Sequence, residues 1–163
     1  MSPHPPCSAI ALDVGRKRVG LAGCDPLGLT VTPLPALQRR GLEEDAQTLA
    51  SLATRRRARV LVVGLPLDGC QRLTLQARHC LRYGRQLAEA LIQRGLPLPL
   101  VWVNEHGSTW EAADRFGLRG DRTGRLDSAA AALLLEQWLR EGTALDPEPA
   151  SSITPHPPQP HDP

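Results

Sequence analysis

Ala9-Ile10-Ala11-Leu12-Asp13-Val14-Gly15-Arg16-Lys17-Arg18-Val19-Gly20-Leu21-Ala22-Gly23-Cys24-Asp25 is the stretch on which the fold turns. Ala9 to Leu12 is an apolar run that ends at an acid. Gly15-Arg16-Lys17 has the composition of a tight turn, and Val19, Leu21 and Ala22 resume the apolar pattern. Two strands joined by a hairpin follow from this arrangement. A third strand is expected between Leu29 and Leu37, and Pro33 and Pro35 place it at a sheet edge.

Beyond the hairpin the period changes. Leu42, Ala46, Leu49, Ala50 and Ala53 recur at helical spacing and predict an amphipathic helix. Val60-Leu61-Val62-Val63 is a short β-branched run of the kind buried in a parallel sheet, ended by the loop Gly64-Leu65-Pro66. A second helix is expected from about Thr74 to Gln93, with Cys80, Gly84, Leu87 and Leu91 on one face and Gly95 closing it. Leu98 to Val103 reads as another strand leading into Asn104 and Glu105. Asp127 to Arg140 reads as a last helix, apolar all round between Ala129 and Leu135 and therefore deeply packed. The order predicts an α/β fold: a mixed sheet of about five strands, three antiparallel and then parallel additions, flanked by helices.

The chain has 163 residues, enough for one domain with some tail. We place that domain at residues 8–142, after a loose N-terminus at 1–7. Residues 147–163, dominated by Pro, Ser and His, have almost nothing to bury and are expected to be disordered. No stretch is apolar enough to span a bilayer, and the start lacks the order of a signal peptide, so a cytoplasmic protein is expected. Cys7, Cys24, Cys70 and Cys80 form no Cys-x-x-Cys pair and no zinc-finger spacing with histidine; they read as small buried or partly buried thiols.

The formal net charge of +2 announces no polyanion partner, but the cations are grouped. Nearly all are arginines, at Arg16–Lys17–Arg18, Arg55–Arg56–Arg57–Arg59 and Arg119–Arg122–Arg125. The forked guanidinium matches phosphate oxygens, and solvated helix ends account for any single cluster equally well. Aromatic residues are scarce, which argues against base stacking and favours contact with a nucleic-acid backbone.

Three acids stand where strands and helices meet. Asp13 ends the first strand, Glu105 follows the last, and Asp127 opens the final helix. Carboxylates gathered at one sheet end repel one another, and a hard cation such as Mg²⁺ relieves that repulsion while keeping waters for phosphates. Two such ions ~4 Å apart activate water and stabilise the leaving oxygen in phosphodiester cleavage. Each acid also has a plain reading: Asp13 as a turn residue, Glu105 as a solvated loop residue, Asp127 as a helix N-cap.

Four motifs in order give a resemblance. Leu12 to Ala22 followed by Cys24-Asp25 looks like the opening hairpin of the YqgF family. These are RNase H-like proteins described as Holliday junction resolvases and pre-16S rRNA nucleases. Val63-Gly64-Leu65-Pro66-Leu67-Asp68-Gly69 resembles that family's Gly-x-Pro…Gly loop. Val103-Asn104-Glu105-His106-Gly107-Ser108-Thr109 lies where the family carries Asp-Glu-Arg-x-Thr-Thr. Leu126-Asp127-Ser128-Ala129-Ala130 is similar to its Asp-x-x-Ala-Ala helix start. The resemblance runs from about Ala9 to Leu139 and implies an RNase H-like fold.

It also implies a catalytic and metal-binding triad of Asp13, Glu105 and Asp127, holding Mg²⁺ or Mn²⁺. Asn104, His106 and Gly107 depart from the family pattern, standing for an aspartate, an arginine and a large apolar residue. Arg16, Arg18, Arg122 and Arg125 are the candidate contacts to nucleic acid. The expected activity is metal-dependent phosphodiester hydrolysis in maturation of the 5′ end of pre-16S rRNA. The alternatives are junction resolution on branched DNA, or a nucleic-acid-binding homologue whose active site has drifted. A sugar-kinase-like phosphotransferase ranks last, because one domain is too little to close around a nucleotide and no Walker-type loop is present.

Overall fold

The computed structural model describes residues 5–70, 72–105, 115, 117 and 123–142. The described residues form five strands and three helices. In chain order these are β1 (Ala9–Val14), β2 (Arg18–Cys24), β3 (Val31–Gln38), α1 (Leu42–Arg56), β4 (Val60–Leu65), α2 (Leu75–Gln93), β5 (Leu100–Asn104) and α3 (Arg125–Glu141). The sheet order is β3-β2-β1-β4-β5. β1–β2 and β2–β3 pair antiparallel, whereas β1–β4 and β4–β5 pair parallel. This is the mixed sheet expected from the sequence.

β3 lies at the edge, as its prolines require. Pro33 pairs opposite Ala22, and the register slips between Val19↔Leu37 and Leu21↔Leu34, leaving one extra residue on β3. Pro35, with no amide to offer, sits in that irregular stretch. The strand starts at Val31 rather than Leu29 for a local reason. The Asp25 carboxylate accepts from the amides of Leu27, Leu29 and Thr30 at 3.0, 2.7 and 2.6 Å. Those amides are spent on the turn.

The helix ends follow their capping chemistry. Thr74 Oγ1 accepts from the Ala77 amide at 3.0 Å and donates to the Pro66 carbonyl at 2.7 Å, starting α2. Gly95, at φ 75°, follows its last turn. α3 begins two residues before the expected Asp127, with Gly124 as N-cap at φ 92°. Asp127 is therefore a first-turn residue and not the cap.

Strand alternation sorts the side chains into two cores. Ile10, Leu12 and Val14 of β1, Val19 and Leu21 of β2, and Leu61, Val63 and Leu65 of β4 pack with α1 and α2. Ala9, Ala11, Ala22, Cys24, Val60, Val62 and Val103 face α3, against Ala131, Ala132, Leu134, Leu135 and Trp138. All seven residues from Ala129 to Leu135 are buried, as the apolar run requires. Each fully buried Leu contributes about 1.5–3 kcal/mol of transfer free energy.

The cysteines are unpaired; Cys24 and Cys80 are buried and Cys7 half-buried. Cys70 is exposed, contrary to the expectation of a buried or partly buried thiol. It sits in a turn whose backbone needs are met locally, the Asp68 carboxylate taking the Cys70 and Arg72 amides at 2.8 Å each. Among the described residues no helix is long and apolar enough to cross a membrane. Residues 1–4 and the 147–163 tail lie outside the described residues.

Candidate carboxylate centre at the sheet end

Alternation decides where the acids go. Asp13 shares its face with Ala9 and Ala11, and those face α3. The Glu105 amide donates to the Leu65 carbonyl at 3.0 Å, extending the β4–β5 pairing by one residue. Glu105 thereby falls on the face of Val103, again the α3 side. The Asn104 carbonyl accepts from Gln137 Nε2 at 3.2 Å, tying the end of β5 to α3. Asp127 stands in the first turn of α3 itself. All three carboxylates therefore lie at the end of the sheet to which β1, β4 and β5 point.

Two glycines let these elements come close. Gly20 pairs with Asp13 across β1–β2 and shares its face. A Cβ at Gly20 would meet the Asp127 carbonyl and lie 2.8 Å from the Ser128 amide nitrogen, so α3 crosses β2 backbone on backbone. The Leu21 amide donates to Ser128 Oγ at 3.2 Å and fixes that crossing. On β4, a Cβ at Gly64 would lie 3.0 Å from Leu134 Cδ2 and 3.6 Å from Glu105 Oε2. Gly64 lets Leu134 and the Glu105 carboxylate close over β4.

The electrostatics agree with this placement. The Asp13 carboxyl is held well above the usual carboxylate range, first by burial, then by the charges of Glu105 and Asp127. Arg18 Nε lies 3.2 Å from Asp127 Oδ2, each side chain about a third exposed at 31% and 34%. A pair so exposed contributes little, in the range of ~0–1 kcal/mol, and is readily exchanged. Among the described residues no three His, Cys, Asp or Glu side chains close tightly enough to hold a metal ion as they stand. The chemistry of the set nevertheless fits a hard divalent cation: oxygen donors only, and mutually repelling.

The plain readings of Asp13 and Asp127 do not match the geometry. The hairpin turn is closed by the Gly15 amide on the Arg18 carbonyl at 2.9 Å, without the Asp13 side chain. The cap of α3 is Gly124. Of the candidate arginines, Arg16 and Arg125 are exposed and Arg18 is half-buried against Asp127. Arg122, and with it His106 and Gly107, lies outside the described residues.

A brace beneath the hairpin was not foreseen. The Arg39 amide donates to the Lys17 carbonyl at 2.9 Å, and Arg39 Nη1 donates to the Gly15 carbonyl at 2.8 Å. The same nitrogen lies 2.8 Å from His79 Nε2, and the guanidinium stacks 3.9 Å from the Tyr83 ring centre. Because arginine only donates, His79 Nε2 accepts there as neutral imidazole. Tyr83 Oη donates to Asp45 Oδ2 at 2.9 Å, and the Arg40 amide to Asp45 Oδ1 at 2.9 Å. Gln76 Nε2 donates to the Val14 carbonyl at 3.1 Å. The residue after Asp13 is thus held from α2. These partners are distant in sequence, and only Gly20, inside the opening motif, carried a local signal.

Fold and site together define an RNase H-type domain with carboxylates gathered at one sheet end. The family model described as "RuvX: Holliday junction resolvase" matches residues 7–141. The chain belongs to that family, which is the one its four motifs resemble. A protein of Parasynechococcus marenigrum (strain WH8102) named "Putative pre-16S rRNA nuclease" is 64% identical over 142 residues, 87% of each chain. One of the same name from Synechococcus sp. (strain CC9902) is 62% identical over 141 residues, 86% of this chain and 83% of that one. The structure titled "T. thermophilus RuvC in complex with Holliday junction substrate" superposes with a TM-score of 0.51. It is 16% identical and covers 85% of this chain and 98% of that one, a likeness of fold.

Proposed function

We propose that this chain hydrolyses phosphodiester bonds in precursor 16S ribosomal RNA, in the cytoplasm, through residues 8–142. Asp13, Glu105 and Asp127 are its catalytic carboxylates and would hold Mg²⁺ or Mn²⁺. The observation that carries the reading is the convergence of these three acids on one face of the sheet end. It occurs in a chain 64% identical to a relative named for this activity. A divalent cation bound there supplies an acidified water and charge neutralisation at the leaving oxygen.

The chain's own residues do the rest. β1, β5 and α3 present the carboxylates from three directions, and the Gly20 crossing keeps Asp127 beside Asp13. Arg18 balances the Asp127 charge. Arg16 and Arg125, exposed on either side, reach toward backbone phosphates. Arg122 is proposed with them from its sequence position.

The test is cleavage of precursor 16S rRNA and of a branched DNA junction, with Mg²⁺ or Mn²⁺, by wild type and Asp13→Asn. Metal-dependent cutting of the RNA, abolished in the variant, is the expected result. Cutting of the junction alone would move the substrate to branched DNA. Binding without cutting by either protein would leave a nucleic-acid-binding homologue.

A further inference from the structure

Five of the described arginines are neutralised locally. Arg18, Arg72, Arg94, Arg115 and Arg140 each pair with a carboxylate. Of the exposed cations that make no ion pair among the described residues, Arg40, Arg55, Arg57, Arg59 and Arg125 stand elsewhere, whereas Arg16, Lys17, Arg78 and Arg82 fall on two neighbouring elements. These four do not scatter. Arg16 and Lys17 form the tip of the β1–β2 hairpin, and Arg78 and Arg82 lie one turn apart on α2, flanking His79. His79 is bonded to Arg39, which holds the hairpin at Gly15. The His79 imidazole is held below its ordinary range first by burial, then by the charges of Arg39, Arg16 and Arg82, so hairpin and helix bring their cations to one place.

Fold stability does not explain this grouping. α1 carries Glu43, Glu44 and Asp45 in its first turn and Arg55 and Arg56 in its last, matching the helix dipole at both ends. Arg55 and Arg56 are accounted for in this way. α2 reverses the rule: it has no acid in its first turn, and Arg78 and Arg82 stand in its first half. Arg78, at the end of the first turn, opposes the dipole, and Arg78 and Arg82 at (i, i+4) repel one another. Moreover α2 starts at the sheet end where the carboxylates lie, since its Gln76 bonds the Val14 carbonyl. An anion is the partner that such a surface lacks.

We infer that Arg16, Lys17, Arg78 and Arg82 form a seat for RNA backbone phosphates, across which the substrate passes from the carboxylates over the hairpin onto α2. This rests on the proposed nuclease reading for the identity of the polyanion. Arg39 is its positioning residue, locking hairpin to helix. The seat reads no bases, since phosphate contacts fix register and not sequence.

The experiment is binding of fluorescein-labelled precursor 16S rRNA 5′ flank to the full chain in EDTA, followed by anisotropy across a salt series. The variants are Arg16→Ala/Lys17→Ala and Arg78→Ala/Arg82→Ala. Arg57→Ala/Arg59→Ala, exposed at the opposite end of the sheet, is the control. Each seat variant should weaken binding at least about tenfold and flatten the log–log salt slope by about 1.4–1.8, two contacts' worth. A scrambled RNA should lose as much. The control should stay within about twofold, and Arg78→Ala/Arg82→Ala should unfold no earlier than wild type, since the dipole gains from the change. Seat variants that bind like wild type, or no worse than the control, overturn the inference, even with cleavage intact. Loss of binding confined to the seat variants upholds it, even if no variant or wild type cuts RNA, in which case the nuclease reading alone falls.

Discussion

Gly20→Ala should damage both stability and catalysis, and the size of the effect follows from one crossing. The added Cβ would lie 2.8 Å from the Ser128 amide nitrogen and nearer still to the Asp127 carbonyl, whereas ordinary contacts begin at 3.4 Å. Both obstacles are backbone, so no rotamer change relieves them. α3 must retreat by roughly half an ångström or more, against a core packed at crystal-like density. Overpacking of this kind costs about 1–3 kcal/mol. If the retreat breaks the buried bond from the Leu21 amide to Ser128 Oγ, a further ~1–3 kcal/mol is lost. The combined loss, about 2–6 kcal/mol, is a large part of the ~5–15 kcal/mol that holds a domain together. The assay is urea unfolding followed by circular dichroism, with Gly69→Ala as control because a Cβ there meets nothing within 4 Å. At a temperature where the variant stays folded, cleavage should fall on the order of a hundredfold, as for an ångström-scale misplacement of a catalytic group. A Gly20→Ala protein within ~0.5 kcal/mol of wild type, cutting normally, would refute the packing argument.

Three further outcomes are expected. Asp25 has its carboxyl held below the usual range, chiefly by the Thr30 amide, so its contribution is present at neutral pH and is lost as pH falls through its folded value. Asp25→Asn should lower the melting temperature at pH 7, and the difference from wild type should close in acid below the ordinary carboxylate range. With an excess of a thiol-labelling disulfide reagent, Cys70 should react at once in the native protein. Cys80, buried and with its thiol pushed up to about 12 by burial and then by the Asp13 and Glu105 charges, should react only after unfolding, as mass spectrometry of labelled peptides would show. Tyr83→Phe leaves Oδ2 of the buried Asp45, 2% exposed, without its donor and should cost about 1–3 kcal/mol. Adding Asp45→Asn should recover part of that loss in the same unfolding assay.

The parts of the fold that were legible are those where one local rule decides. Val60 to Val63 is buried on both faces, so an unbroken apolar run, β-branched at all but Leu61, identified it. Thr74 and Gly95 carried the ends of α2 in their own side-chain and φ preferences. The acids at element ends were legible as positions, and strand parity then fixed their common face. What was not legible depended on partners far apart in the chain. Asp127 looks like an N-cap by composition, but Gly124 takes that place, packed against Ala36 of β3 and Arg18 of β2. The pairing of Arg18 with Asp127 could not be read because it spans 109 positions. Arg39, His79, Tyr83 and Asp45 belong to three different segments, and nothing in any one of them signals the others. Arg78 and Arg82, separated by three residues in a helix of ordinary composition, form no visible cluster until the hairpin is set beside them.

The two sides of the sheet differ in a way that bears on how this protein can change over generations. Against α1 and α2 the contacts are Leu, Ile, Val, Tyr and Trp side chains, which can be exchanged for one another at similar total volume. Against α3, Val60, Val62 and Val103 pack with Leu134, Leu135 and Trp138 in the same way, but where the helix crosses β2 Gly20 meets the backbone of Asp127 and Ser128, and there no side chain is left to trim. Sequence drift is therefore channelled away from that crossing. Lineages can refit α1 and α2 by ordinary compensating substitutions, while the layer that spaces Asp13 from Asp127 admits almost none. The chemistry is insulated from the part of the core that is free to wander.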